Sequence, residues 1–143
     1  ELAGRVAMHA ERNMRRALLS LEACRVQQYP FKADQPVMGT DWEAYVAQIA
    51  GEALAEQSPK RLLQIRGRLY ELLVNCVPPE VLLRRLVREL NKRLDADLKH
   101  ETAKWAAHFE HRMQEGQKPI IHLEGFVAQF MATYKKYLIS SFG

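Results

Sequence analysis

The sequence predicts an all-α fold. Apolar residues recur at three- and four-residue steps along most of the 143-residue chain, the spacing that lines one face of a helix. No segment sustains the two-residue alternation of a half-buried strand, and no Asn-Gly or Asp-Gly pair stands between apolar runs as a strand hairpin would require. Seven helices are expected, two before a proline-rich connector and five after it, with no repeat of fixed period.

Leu2 to His9 forms a short first helix, and Glu11-Arg12-Asn13 interrupts it. Asn13 then caps a longer helix, because its side-chain oxygen accepts from a free N–H of the first turn. That helix carries Met14, Leu18, Leu21 and Cys24 as its apolar stripe and sets Arg15 and Arg16 at its start, where backbone N–H groups favour an anion such as phosphate. A pair of arginines on a solvated face is the plainer reading. The helix fades at Gln27-Gln28. Pro30, Pro36 and Gly39 fall within ten residues and mark 29–39 as an extended connector between domains. Tyr29 and Phe31 flank its first proline, where they either stack on nucleic-acid bases or anchor the connector to the preceding helices.

Thr40-Asp41-Trp42-Glu43 has the spacing of a capping box, and the helix it opens shows Trp42, Tyr45, Val46, Ile49 and Ala53 to one side. Ser58-Pro59 starts the next, serine as cap and proline at the first helical position. Leu62, Ile65, Leu69, Leu72, Leu73 and Cys76 make its stripe. Pro78 and Pro79 stop it and open a further helix with Leu82, Leu86, Leu90 and Leu94 inward. Opposite that leucine row, Arg84, Arg88 and Lys92 form an outward basic ridge. These two helices, Ser58 to Leu94, are expected to be the central hairpin. Asp95 caps a helix with Leu98, Trp105, Phe109 and Met113 inward, ending at Gly116. The last helix, from about Pro119, has an apolar face of Leu123, Phe126, Val127, Phe130, Met131, Tyr134 and Leu138, wide enough to touch neighbours on more than one side.

Composition bounds the function. Hydrophobic residues make up 48% of the chain and charged residues 27%, which excludes a disordered tail, and a chain of this length buries a sizeable core without metal or disulfide. Cys24 and Cys76 both fall on helical stripes, as buried thiols in a reducing compartment. No apolar run approaches the roughly 20 residues of a membrane span, so no membrane partner is expected. The chain opens on Glu1-Leu2-Ala3 without methionine, which reads as a piece of something longer. The net charge of +4 is uneven. Residues 40–57 carry Asp41, Glu43, Glu52 and Glu56 and no base, whereas residues 58–104 carry eleven bases against six acids. Such asymmetry orients packing or a partner.

Enzyme chemistry is not legible. The chain has no glycine-rich phosphate loop and no HExxH, CxxC or calcium-loop pattern. His108 and His111 lie three apart, yet neither an acid nor a cysteine joins them at a metal-binding spacing, so no metal is expected. No nucleophile stands beside Lys104, Glu110 or His111.

Beginning at RNMRRALLSLEACRVQQYPF and continuing through IRGRLYELLVNCVPPEVLLRRL to HLEGFVAQFMATYKKYL, the sequence resembles the C-terminal part of a replication factor C small subunit, a component of the eukaryotic sliding-clamp loader. EACRVQQYPF is most similar to the branch called subunit three in animals, which has a degenerate ATPase site. The resemblance covers nearly the whole chain. It implies that residues 1–28 end an AAA+ lid domain, that 29–39 connect, and that 40–143 form a helical collar of about five helices. Relatives that use ATP open the lid helix with Gly-Asp-x-Arg, whose arginine senses the nucleotide phosphates. Arg15 matches that arginine and is the one cofactor-binding candidate, while Arg12 and Asn13 replace the glycine and the aspartate. The phosphate loop and the Mg²⁺-binding acids of the family are missing from this sequence, so no cofactor is expected in this piece, although ATP and Mg²⁺ belong to the parent complex.

The resemblance also implies a nuclear hetero-pentamer of replication factor C subunits, acting through the whole complex on the sliding clamp and primer-template DNA. The collar would hold that pentamer. Expected interface residues are Arg84, Arg88 and Lys92 on the basic ridge, with Phe126, Phe130 and Tyr134 on the last helix. A free-standing helical domain that binds nucleic acid through the ridge is the alternative.

Overall fold

A computed structural model of the chain describes residues 1–37 and 39–142, and of Ser141 and Phe142 only the backbone. Among the described residues every regular element is helical: α1 Leu2–His9, α2 Met14–Gln27, α3 Asp41–Ala55, α4 Pro59–Val74, α5 Pro79–Asn91, α6 Ala96–Glu115 and α7 Pro119–Phe142. Contacts divide the chain into two compact units, Glu1–Asp41 and a larger one from Trp42 onward.

In the first unit α1 packs against α2, with Leu2, Val6, Ala10 and Cys24 buried between them and the following segment. Asn13 caps α2 as expected, accepting from the Arg16 backbone N–H at 3.1 Å. The break before it is sharper than the sequence suggests, because Glu11 and Arg12 both take the left-handed conformation, at φ 50° and 65°. The connector is no free tether. The Arg5 guanidinium donates to the carbonyls of Ala33 and Gln35, and the buried Gln35 side chain donates to the Cys24 carbonyl. The Tyr29-Pro30 peptide is cis. The expected α2 stripe fails at its first two positions. Met14 and Leu18 are exposed, and of the expected stripe only Cys24 is fully buried.

The second unit has one core, to which α3 through α7 all contribute. Val46, Ile49 and Ala53 from α3 meet Ile65, Leu69 and Leu72 from α4 and the leucine row of α5. Ser58 caps α4 by accepting from the Arg61 N–H at 3.2 Å, with Pro59 next in line. The hub is α7. It packs against α4, α5 and α6, and α5 packs against α6, so the expectation of a central α4–α5 hairpin is corrected. The wide apolar face of α7 is what allows three neighbours.

Two further expectations change, at Cys76 and Asp95, while Gly116 ends its helix as expected. α4 ends at Val74, and Cys76 lies beyond it, exposed and left-handed at φ 61°. The N–H groups of Cys76 and Val77 return to the carbonyls of Leu73 and Leu72, both at distances near 3 Å, a Schellman ending that turns Cys76 off the stripe. Asp95 opens α6, but its carboxylate accepts from the Tyr137 hydroxyl at 2.6 Å and caps no N–H. Gly116 ends α6 with φ −95°. Its value is space, since a Cβ there would sit 2.4 Å from His122 Nε2. Gly125 does the same within the core, where a Cβ would come within 2.7 Å of the Phe109 ring, so α6 and α7 approach closely at this point.

Candidate assembly surface and anion-binding residues

The anion-binding candidates lie in the first unit. Asn13 fixes the start of α2, which places Arg15 and Arg16 on the wall of an open cavity of about 560 Å³ together with His9, Ser20, Thr40 and Asp41. Two guanidinium groups and a helix N-terminus make one side attractive to a phosphate. The Asp41 carboxylate, which also lines the cavity, works against an anion there. Arg12 takes a left-handed conformation, which a glycine adopts without steric cost.

In the second unit the uneven charge is used largely within the domain. Glu52 on α3 meets Arg68 at 2.8 Å and Arg61 at 3.8 Å, and Arg61 also reaches Glu56 at 3.0 Å. The Ser58 hydroxyl donates to Glu56 at 2.6 Å and, with Arg61, holds that carboxyl below its ordinary range. Tyr45 donates to Glu71 at 2.7 Å, and this bond to a carboxylate raises the phenol above its ordinary 10.0. Arg68 lies over the Tyr45 ring. The acidic α3 therefore docks on the basic α4.

A second network is deeper. Arg85 on α5 meets Glu43 of α3 at 3.3 Å and Glu89 of its own helix at 3.2 Å, and both carboxylates are at most 9% exposed. Sequence reasoning missed Arg85 because it sits beside Arg84 in a run of bases. Its spacing of three residues from the buried Leu82 and four from the buried Glu89, which puts it on their edge of the helix, is the signal that separates it from Arg84.

The ridge itself is exposed at Arg84, Arg88 and Lys92. It is not bare. Glu110 of α6 holds Arg84 at 2.6 Å, and Glu89 holds Lys92 at 2.7 Å. Phe126 and Phe130 are 0% and 3% exposed, which corrects the expectation that they meet a neighbour: both fill the domain's own core, with Phe109 set edge-on to Phe126. Tyr134 is half-buried and stacks on Phe130 at 5.8 Å, so it reaches the surface only at the margin. The structure brings Arg84, Arg88 and Lys92 together and leaves Arg15 in the other unit. Among the described residues no group of three or more His, Cys, Asp or Glu side chains is placed to hold a metal ion, and no described helix is long and apolar enough to cross a membrane.

Comparison with known proteins adds the family. Residues 42–138 match the family described as replication factor C subunit 3, C-terminal domain. Replication factor C subunit 3 of Arabidopsis thaliana is 59% identical over 141 residues, covering 99% of this chain and 40% of that protein. The Homo sapiens subunit 3 is 54% identical over 138 residues, covering 96% and 39%. In Schizosaccharomyces pombe a protein named replication factor C subunit 5 is 37% identical over 139 residues. The chain spans about two-fifths of the length of these relatives. An all-helical unit from Trp42 onward, matched by the family over 42–138 and accompanied by relatives of this identity, establishes that the chain belongs to the replication factor C family.

Proposed function

We propose that the chain is the assembly part of a replication factor C subunit: residues 40–143 are a collar, 29–39 a connector and 1–28 the end of a lid domain. The observation that carries this reading is the match of residues 42–138 to the C-terminal domain of subunit 3. The collar holds a hetero-pentamer with the other replication factor C subunits, and the whole complex places the sliding clamp on primer-template DNA in the nucleus during replication and repair. ATP and Mg²⁺ serve the parent complex. This piece is not itself the ATPase, since its sequence carries no phosphate loop and one sensor-like Arg15 cannot replace that loop and a metal.

Several features support an assembly role over nucleic-acid binding. Much of the positive charge of α4 and α5 is already met inside the domain, which lowers what a phosphate backbone would gain. The ridge of Arg84, Arg88 and Lys92 is exposed, with Arg84 and Lys92 held by Glu110 and Glu89, and would meet a neighbour as a polar rim beside the edge of Tyr134. Co-purification of the tagged chain with the other replication factor C subunits tests the proposal. Recovery of partners in stable complex is expected, and recovery of none removes it.

A further inference from the structure

We propose that the outer face of α4, formed by Leu63, Gly67, Tyr70 and Val74, is the seam on which an amphipathic helix of a neighbouring replication factor C subunit docks. This rests on the assembly reading and assigns it a surface that neither the ridge nor α7 supplies. The four positions recur at four, three and four residues, the spacing that keeps one stripe facing a partner helix. They lie opposite Ile65, Leu69 and Leu72, which α4 gives to its own core. Leu63, Tyr70 and Val74 are 66%, 58% and 64% exposed. So much apolar surface on a helix already anchored by its other face marks an interaction site.

Gly67 indicates what shape covers it. Glycine is a poor choice in the middle of a helix, and here it serves no close packing within the chain, because a Cβ at Gly67 would meet nothing within 4 Å. Flanked by Leu63 and Tyr70, it makes a notch where a second helix can approach the α4 backbone. The rims are charged and held in place: Arg66 borders one side, 3.1 Å from Glu124, and Glu71 borders the other, accepting from Tyr45. A matching helix carries an apolar stripe with an acid toward Arg66 and a base toward Glu71. A second copy of this chain is not the occupant. Four residues on one helix cover far less than the ~800 Å² per partner of a stable free-standing interface, whereas a neighbouring subunit of the complex is also held elsewhere.

The test uses the full-length subunit co-expressed with the other replication factor C subunits, as wild type, as Leu63→Glu/Tyr70→Glu, and as Gly67→Leu. Both variants are expected to recover at least about tenfold less of a neighbouring subunit, since each 1.4 kcal/mol lost from an interface is a factor of ten. Circular-dichroism melting of the same changes in the 143-residue chain should show a retained fold, and Gly67→Leu should melt about 3 °C higher because leucine favours the helix. Wild-type levels of complex from folded variants overturn the seam while leaving the assembly reading intact. Failure of the wild type to recover any partner overturns both. If the wild-type chain alone sediments as a dimer that Leu63→Glu/Tyr70→Glu dissolves, the occupant is a second copy and the proposal is wrong.

Discussion

At the level of single residues, backbone conformation makes the sharpest demands. Arg12 at φ 65° and Cys76 at φ 61° hold left-handed positions, which cost an ordinary residue roughly 1–2 kcal/mol and glycine almost nothing. Arg12→Gly and Cys76→Gly are each expected to stabilise the chain by up to about 1 kcal/mol, the gain being cut by glycine's extra freedom when unfolded. Urea unfolding measures it, and a loss for Cys76→Gly would show that the thiol itself contributes at the Schellman turn. Tyr45 makes a different demand. Its phenol is raised above 10.0 by the bond to Glu71, then by burial, so the folded state holds the proton more tightly than the unfolded one. That contribution is complete below pH 10 and is lost as pH rises through the folded-state value. Tyr45→Phe should therefore flatten the fall in stability at alkaline pH, and the difference in phenolate absorbance between wild type and variant should have its midpoint above 10. A midpoint at or below 10 would mean that the Glu71 contact is absent in solution.

At the level of the helices, adjacent arginines of one sequence run do different jobs. Arg84 is exposed and pairs with Glu110 across to α6, an arrangement worth no more than about 1 kcal/mol. Arg85 joins α5 to α3 between two carboxylates that are themselves nearly buried. Arg85→Ala leaves both without that partner and is expected to cost about 3–5 kcal/mol, against about 1 kcal/mol or less for Arg84→Ala. Equal losses in urea unfolding would place Arg85 at the surface. Leu69, fully buried on α4, sets the scale for apolar packing: Leu69→Ala is expected to cost roughly 2–5 kcal/mol through lost burial and a cavity. The contact of α6 with α7 has its own constraint at Gly125, where any Cβ meets Phe109. Helix periodicity announced the leucine faces of α4 and α5 plainly, because one face of a helix is a local property. It did not announce that Arg85 is drawn inward, since the carboxylate it meets on α3, Glu43, is distant in sequence.

For the whole molecule, the ridge decides between assembly and nucleic acid. With Arg84 and Lys92 held by Glu110 and Glu89, duplex DNA should bind no tighter than roughly 10⁻⁴ M at physiological salt, the weak end of non-specific association. Replacing Arg84, Arg88 and Lys92 with glutamine should leave that binding unchanged while cutting the yield of complex with partner subunits if the ridge lies at a subunit boundary. Fluorescence anisotropy across a salt series measures the first and size-exclusion chromatography the second. Micromolar binding that collapses with salt and disappears in the triple variant would assign the ridge to DNA instead.

Local signals in the sequence determined the helical class, the seven segments and most of their ends: Asn13 and Ser58 cap where their side chains suit the first turn, and Pro79 opens α5. EACRVQQYPF and HLEGFVAQFMATYKKYL carry the resemblance to the family in the sequence alone. What covers each face was left to tertiary structure, because a stripe states that a side is apolar and is silent on its partner. Met14 and Leu18 stay exposed while Phe126 and Phe130, picked for a neighbour, fill the domain's own core. The same limit hid Leu63, Tyr70 and Val74 behind the stronger inward row of α4. The acids of α3 find their arginines on α4 and α5 only when the chain folds back, a pairing between positions far apart in sequence that no local period encodes.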